Sequence, residues 1–344
     1  MIYRGRAPLR VSFAGGGTDL SPYVDEHGGV VLSATIDRYA YASLRLRSDH
    51  RIHVRSLDFD SVLDTPVGDP LHFDGNLDLI KGCLRRLVAD ENSYGTGIEF
   101  FLETDAPPGS GLGASSALVV AVIGALMEWR QLPLSKYQIA QQAWEIERKD
   151  VRIAGGLQDQ YAAAFGGFNL IEFHGTDNVV VNPLRIDPAT IRELQYNMIL
   201  VFTGSTREGS KLIDHQVQGY VDRKAGVADA LHEMKALTIE AKDALLKGRL
   251  EDFAQLLHHE WEAKQKVAAS VTTERLNDMY AESRRLGVIG GKVSGAGGGG
   301  FMLLYCPFDR KAGVIDRMKE MGGEVYPVAF EPEGMQHWTR VENP

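Results

Sequence analysis

Three glycine clusters, at residues 15–17, 109–113 and 290–300, constrain this chain more than any other feature of its sequence. Glycine is favoured where backbone turns through positive φ or where a ligand must approach the main chain, and it weakens ordinary helices and strands. The 344-residue chain carries 37 glycines. That length suits two domains sharing a cleft better than one compact core. Spread through such a chain, the three clusters predict three walls of one site, although a structural turn accounts for any one of them alone.

The middle cluster has the most informative setting. Ile98, Phe100 and Leu102 alternate with Glu99 and Glu103, which predicts a strand over 97–104. The apolar run 117–127 predicts a helix continuing to about 130. Between them lies Pro107-Pro-Gly-Ser-Gly-Leu-Gly-Ala-Ser-Ser-Ala117. A helix N-terminus has unpaired N–H groups and partial positive charge, so it binds phosphate. Gly109, Gly111 and Gly113 remove side chains that would block the approach, and Ser110, Ser115 and Ser116 add hydroxyls. A tight, serine-capped turn is the plainer alternative.

Two familiar phosphate loops fail on context. A Walker A loop at Gly290-Gly-Lys-Val lacks the upstream glycine, where Leu286 stands, and the hydroxyl residue, where Val293 stands. A dinucleotide fingerprint matches nominally at residues 109–114 and 295–300. The first is followed by two helices with no second strand ending in an acid, and the second runs straight into a strand.

Bulk properties exclude other classes. A formal net charge of −9 argues against an extended nucleic-acid surface. Cys83 and Cys306 lie far apart in apolar surroundings and read as buried thiols of a reducing, cytoplasmic compartment. The longest strongly apolar run, 117–127, is too short to span a bilayer, so no membrane role is expected. A homo-oligomer is compatible with the sequence.

Further strands are expected over 39–47, 51–56, 168–173 and 178–181, and helices over 77–89 and 135–149, the latter capped by Ser135. Asp187-Pro188 marks the boundary between domains of residues 1–187 and 188–344. The second half opens with a strand over 196–202 and is then helical from 217 to 287, broken at Gly248. A strand over 301–305, a helix over 311–321 and a strand over 324–330 close it.

Beyond the residue chemistry, the middle cluster resembles the second signature of the galactokinase, homoserine kinase, mevalonate kinase and phosphomevalonate kinase (GHMP) superfamily. Ala7-Pro-Leu-Arg-Val-Ser-Phe-Ala-Gly-Gly-Gly-Thr-Asp-Leu20 is similar to its first signature, and Lys292-Val-Ser-Gly-Ala-Gly-Gly-Gly-Gly-Phe301 to its third. All three occur in the family's order and span nearly the whole chain. The resemblance implies an α+β, two-domain fold: a ribosomal-protein-S5-like N-terminal domain and a ferredoxin-like C-terminal domain. The Gly-Gly-Gly-Thr-Asp-Leu wording and the run of four glycines before Phe301 resemble the D-glycero-D-manno-heptose 7-phosphate kinase branch. Transfer of the ATP γ-phosphate to an anomeric hydroxyl, with Mg²⁺, is thereby implied. The partners would be a small sugar phosphate and ATP. Fucose kinases share similar wording, and a silent sugar-and-ATP sensor is the alternative of another class.

Site roles follow from the resemblance. Pro108, Gly109, Ser110, Gly111, Leu112, Gly113, Ala114, Ser115 and Ser116 would form the nucleotide wall. Asp159, in Gly155-Gly-Leu-Gln-Asp-Gln-Tyr161, matches the catalytic aspartate, with a helix cap as its plainer use. Glu147 would hold Mg²⁺ beside Ser116 or Ser115, with Glu145 as the alternative. Arg10 matches an arginine near the transferring phosphoryl, against a surface salt bridge. Gly16, Gly17, Thr18 and Asp19 would face the sugar, Asp19 accepting from its hydroxyls, together with Gly297 and Gly298. Arg207 is the expected ligand of a phosphate already on the sugar.

Several conspicuous residues carry no chemistry. His258 and His259 are adjacent and lack His-Glu-x-x-His spacing, and Asp58, Asp60 and Asp64 lack the glycine and glutamate of a calcium loop. Arg45, Arg47, Arg51 and Arg55 read as solvated strand edges.

Overall fold

The computed structural model describes residues 1–58, 61–88, 96–205 and 209–341. Its first half is laid out as β1 (Ile2–Ala14), α1 (Tyr23–His27), β2 (Gly29–Arg47), β3 (Arg51–Ser56), β4 (Ser61–Pro66), α2 (Asp78–Leu87) and β5 (Gly97–Thr104). There follow α3 (Ala114–Arg130), α4 (Lys136–Glu145), α5 (Gln158–Phe165), β6 (Phe168–Phe173) and β7 (Val179–Pro183). The second half comprises α6 (Pro188–Asn197), β8 (Met198–Phe202), α7 (Gly209–Val221), α8 (Val227–Leu246), α9 (Leu250–Val267) and α10 (Glu274–Arg285). It ends with β9 (Gly290–Val293), β10 (Phe301–Tyr305), α11 (Lys311–Glu320), β11 (Glu324–Pro327) and β12 (Gln336–Arg340).

Two sheets organise these elements. Among the described residues the first has the order β12-β1-β2-β5-β3-β4, with β6 on β2 and β7 on β6. Strand β2 is long enough to serve two neighbours, pairing with β6 over residues 29–34 and with β5 over 40–47. Pro8 sits at an irregularity between β1 and β2, where a residue without an N–H is tolerated. The second sheet is antiparallel, β11-β8-β10-β9. This is the expected α+β, two-domain architecture.

Helix α3 is apolar on all sides and correspondingly buried from Ser116 to Met127. It lies on β1 and β2, while α5, α8 and α9 also pack on β1. The second half of β1 is therefore covered on both faces, which explains why its burial is continuous there instead of alternating. Ser135 caps α4 with a complete capping box through Gln138. A π-helical turn, Ile146–Asp150, continues α4 and re-aims the side chains that follow.

Several expectations shift. Residues 196–197 end a helix, α6, and the strand starts at Met198; Asp187 and Pro188 start that helix as cap and first residue. The expected boundary thus falls at a helix start, but β12 returns from the C-terminal end to pair with β1. The strand expected over 324–330 stops at Pro327, leaving Phe330 bridged to Ile36. Arg45 and Arg47 do not lie on a sheet edge: β2 is interior, and both reach the buried carboxylate of Glu99. Both cysteines are buried and free. No described helix is long and apolar enough to cross a membrane.

Candidate active site

The three glycine clusters meet at a cleft of about 880 Å³. Gly16 and Gly17 line it from the first cluster, seven residues from Pro108 to Ser115 from the second, and Gly295 with Ala296 from the third. The second and third loops lie against each other. Gly111 has φ +80°, and a Cβ there would stand 2.5 Å from the Ser294 carbonyl, so only glycine fits. Ser294 Oγ and Arg10 Nη1 both donate to the Gly111 carbonyl, at 2.9 and 2.6 Å.

Arg10 and Asp159 form the charged centre of the cleft. Strand β1 carries Arg10, almost fully buried, and the first turn of α5 carries Asp159. Arg10 Nε and Nη2 both donate to Asp159 Oδ1, at 2.8 and 2.6 Å. No described donor reaches Oδ2, which lies beside Gly113 at the start of α3. The pair is therefore no surface salt bridge: Arg10 is buried, Asp159 is only partly exposed at the cleft, and one of its oxygens is left free for an incoming group.

Asp19 is engaged differently. It is fully buried at the cleft wall, and its Oδ2 accepts from the main-chain N–H groups of Leu157 and Gln158 at 3.0 and 3.1 Å. Oδ1 accepts from Gly17 N at 3.0 Å, and the Gln158 amide nitrogen lies 3.3 Å from both oxygens. Asp19 thus caps α5 from across the cleft and ties the first glycine loop to the helix bearing Asp159. Gly156 makes this possible, since a Cβ there would fall 2.0 Å from Asp19 Oδ2.

The expected metal ligands also converge. Glu147, in the π-turn, is wholly buried; Ser116 Oγ donates to its Oε2 at 2.7 Å, and Ser115 Oγ lies 3.4 Å from Oε1. Gln160 donates to the same carboxylate, while its own Oε1 is buried without a partner. The nearest cation is Arg148, at 3.7 Å. A buried carboxylate answered mostly by neutral donors fits an additional cation, and an all-oxygen set with one carboxylate fits Mg²⁺. Glu145 is instead held by Arg86 at 2.6 Å and Lys149 at 3.1 Å, so its charge is already answered by two cations.

Other expected site residues stand elsewhere. Thr18 is buried with its hydroxyl donating to the Gly15 and Val30 carbonyls, which fastens the loop to β2 and removes it from the cleft. Gly297 and Gly298 pack against Val271, whose carbonyl accepts from Gly298 N at 2.7 Å; Gly295 and Ala296 form the wall in their place. Leu112 points into the core and offers only its carbonyl, to Arg10 N at 3.0 Å. Arg207 lies outside the described residues.

Three cleft residues escaped the sequence reading. The Gln158 amide faces Asp19, and Arg148 donates to the Ile153 and Gly156 carbonyls. Lys264, on α9, donates to the carbonyls of Gly16 and Gly295 at 3.0 and 2.8 Å. Burial, with Lys292 nearby, pushes its ammonium down to about 7. Below it, Glu260 Oε1 accepts from Gly15 N at 2.7 Å and from Lys292 at 3.3 Å. Periodicity carried a signal: Glu260 and Lys264 fall on the helix face that otherwise reads Leu250, Phe253, Ala254, Leu257 and Trp261.

The chain matches the family of GHMP kinases in both halves, the N-terminal domain over residues 78–167 and the C-terminal domain over 241–324. It is 39% identical to the D-glycero-alpha-D-manno-heptose 7-phosphate kinase of Campylobacter jejuni, across 97% of this chain and 98% of that protein. The crystal structure of a D-glycero-D-manno-heptose 1-phosphate kinase from Bacteroides thetaiotaomicron superposes with a TM-score of 0.83 at 36% identity, covering 99% and 100% of the two chains. The L-fucokinase/L-fucose-1-P guanylyltransferase of Bacteroides fragilis is 28% identical over 88% of this chain, which spans 34% of that protein.

Proposed function

The chain belongs to the GHMP kinases, and from that membership we propose that it transfers the γ-phosphoryl group of ATP to the anomeric hydroxyl of D-glycero-D-manno-heptose 7-phosphate, giving the 1,7-bisphosphate. The observation that carries phosphoryl transfer is the free Oδ2 of Asp159, oriented by Arg10 through Oδ1 and set beside Gly113 at the nucleotide wall. The choice of acceptor rests on the full-length likeness to the Campylobacter jejuni kinase.

In this reading the nucleotide phosphates lie along residues 108–115, against the unpaired N–H groups at the start of α3. The sugar enters between that wall and Gly16-Gly17. Its anomeric hydroxyl gives its proton to Asp159 Oδ2 as its oxygen attacks the γ-phosphorus, and the bond to the β-phosphate oxygen breaks with release of ADP. Arg10 holds Asp159 at its Oδ1 and the glycine loop at Gly111, so base and phosphate wall are positioned by one guanidinium. Glu147, with Ser116 and Ser115, would hold Mg²⁺, which supplies charge neutralisation on the nucleotide phosphates when bound. A sugar hydroxyl reaches Asp19 only by displacing the Gln158 amide, the longest of the contacts there. The residue's foremost role is therefore to hold α5.

An ATP-consumption assay across an acceptor panel tests the proposal: the heptose 7-phosphate, the same heptose without phosphate, L-fucose and galactose. The 7-phosphate should have the highest kcat/KM. Faster turnover of fucose would replace the acceptor and leave the kinase reading intact. ATP binding without turnover of any sugar would point to a sensor.

A further inference from the structure

Lys264 is 3% exposed, lines the cleft and bonds only to neutral groups. An ammonium has three protons. Two go to the Gly16 and Gly295 carbonyls, one from each of two glycine loops, and the third has no partner among the described residues. The other described cations of the cleft are answered: Arg10 by Asp159, and Arg148 by Glu147 at 3.7 Å together with two carbonyls. No described carboxylate lies within 4.0 Å of Lys264 Nζ. The absence of a side chain at Gly16 keeps the approach open, since a Cβ there would stand 3.6 Å from Nζ.

Burying an uncompensated cation is costly unless something binds to it. The position is also informative: Nζ bridges the loop on the acceptor side to the loop that abuts Gly111 in the phosphate wall. We propose that Lys264 is a phosphoryl-group ligand, its remaining ammonium proton directed to an anionic oxygen of a phosphate bound in the cleft. The inference rests on the kinase reading above. Two phosphates meet that description, the one the sugar already carries and the one being transferred.

The charge environment gives an independent readout. Burial above all holds the Lys264 ammonium down, joined by Lys292 from β9 and Arg10 from β1, while Glu260 on its own helix and Asp19 from the first loop act the other way. With a folded value of about 7, the group is largely neutral above that pH in the free protein. A bound phosphate dianion favours the charged form, so binding takes up a proton and weakens as pH rises above about 7.

The experiment compares wild type, K264M and K264R in steady-state kinetics with MgATP against the heptose 7-phosphate and the same heptose without phosphate. Calorimetric titrations with ADP and with the non-hydrolysable AMPPNP accompany it. If the acceptor's phosphate is the partner, K264M raises KM for the 7-phosphate by about 10- to 100-fold and spares the unphosphorylated sugar. If the transferring group is the partner, kcat falls with both acceptors and AMPPNP loses affinity while ADP does not. Either result supports the proposal, and K264R should recover part of the loss. A K264M protein changed only in Tm makes Lys264 a strut between loops and overturns it. Should K264M fail to fold, titrations of wild type with AMPPNP and, separately, with the heptose 7-phosphate at pH 8 in two buffers of different ionisation enthalpy decide: proton uptake with either supports the proposal and its absence with both overturns it. If wild type turns over no heptose phosphate, the acceptor reading fails separately, and the AMPPNP arm still judges Lys264.

Discussion

Both Arg10 nitrogens that reach Asp159 do so at one oxygen, Oδ1, and leave Oδ2 turned to the cleft. A residue kept only as a cap or strut would have both oxygens occupied, as Asp19 has. Asp159→Asn keeps a hydrogen-bond acceptor for Arg10 and removes the base. Turnover should then fall by about 10²- to 10⁴-fold, while the calorimetric Kd for MgATP stays near wild type. An equal loss of ATP binding would make Asp159 a structural residue. At this scale the reading from sequence singled out Asp159, Arg10 and Glu147 because each sits inside a motif, and the structure pairs Arg10 with Asp159 and sets Glu147 against Ser116. It missed Lys264 and Gln158, whose significance comes from partners 248 and 139 positions away. Arg10 was expected near a transferring phosphoryl group, and its pairing with Asp159 was not foreseen.

Helix starts set the geometry of the site at the scale of elements. Two of them, α3 and α5, open onto the cleft, the first behind Gly113 and the second under the Asp19 carboxylate. The loop preceding α3 is held by contact with the third cluster as much as by its own turns. Gly111→Ala should make this visible. The added Cβ meets the Ser294 carbonyl at a positive φ, so Tm should drop with a cost of about 1–3 kcal/mol and MgATP should bind more weakly. Wild-type Tm and affinity in that variant would mean that the two loops do not lock each other. The strand–loop–helix order around residues 97–130 was legible because alternation and apolar length are local signals. Helix α6 was not: its cap pair Asp187-Pro188 read as a boundary, although the same residues start a helix. The short β9 looked like the edge of a phosphate motif, and its role as a strand depends on β10 lying alongside.

For the molecule as a whole, one element departs from two successive halves: β12 leaves the C-terminal half and pairs with the first residues of β1. His337 and Thr339 reach Glu128 on α3, both at 2.6 Å, so the strand closes the sheet edge and braces the buried helix. Truncation after residue 335 should lower Tm by roughly 3–8 °C and promote association through the exposed β1 edge, read by light scattering. An unchanged Tm would reduce β12 to an ornament of the surface. By itself the sequence determined the glycine-rich loop between a strand and a helix, the order of the three glycine clusters and the α+β class, because these rest on local backbone requirements and short-range periodicity. Tertiary structure alone decided which glycines face the cleft and which pack on Val271, why Asp19 caps a distant helix, and where Lys264 points. Those outcomes depend on burial and on hydrogen-bond partners far away in the chain, and no local pattern encodes them.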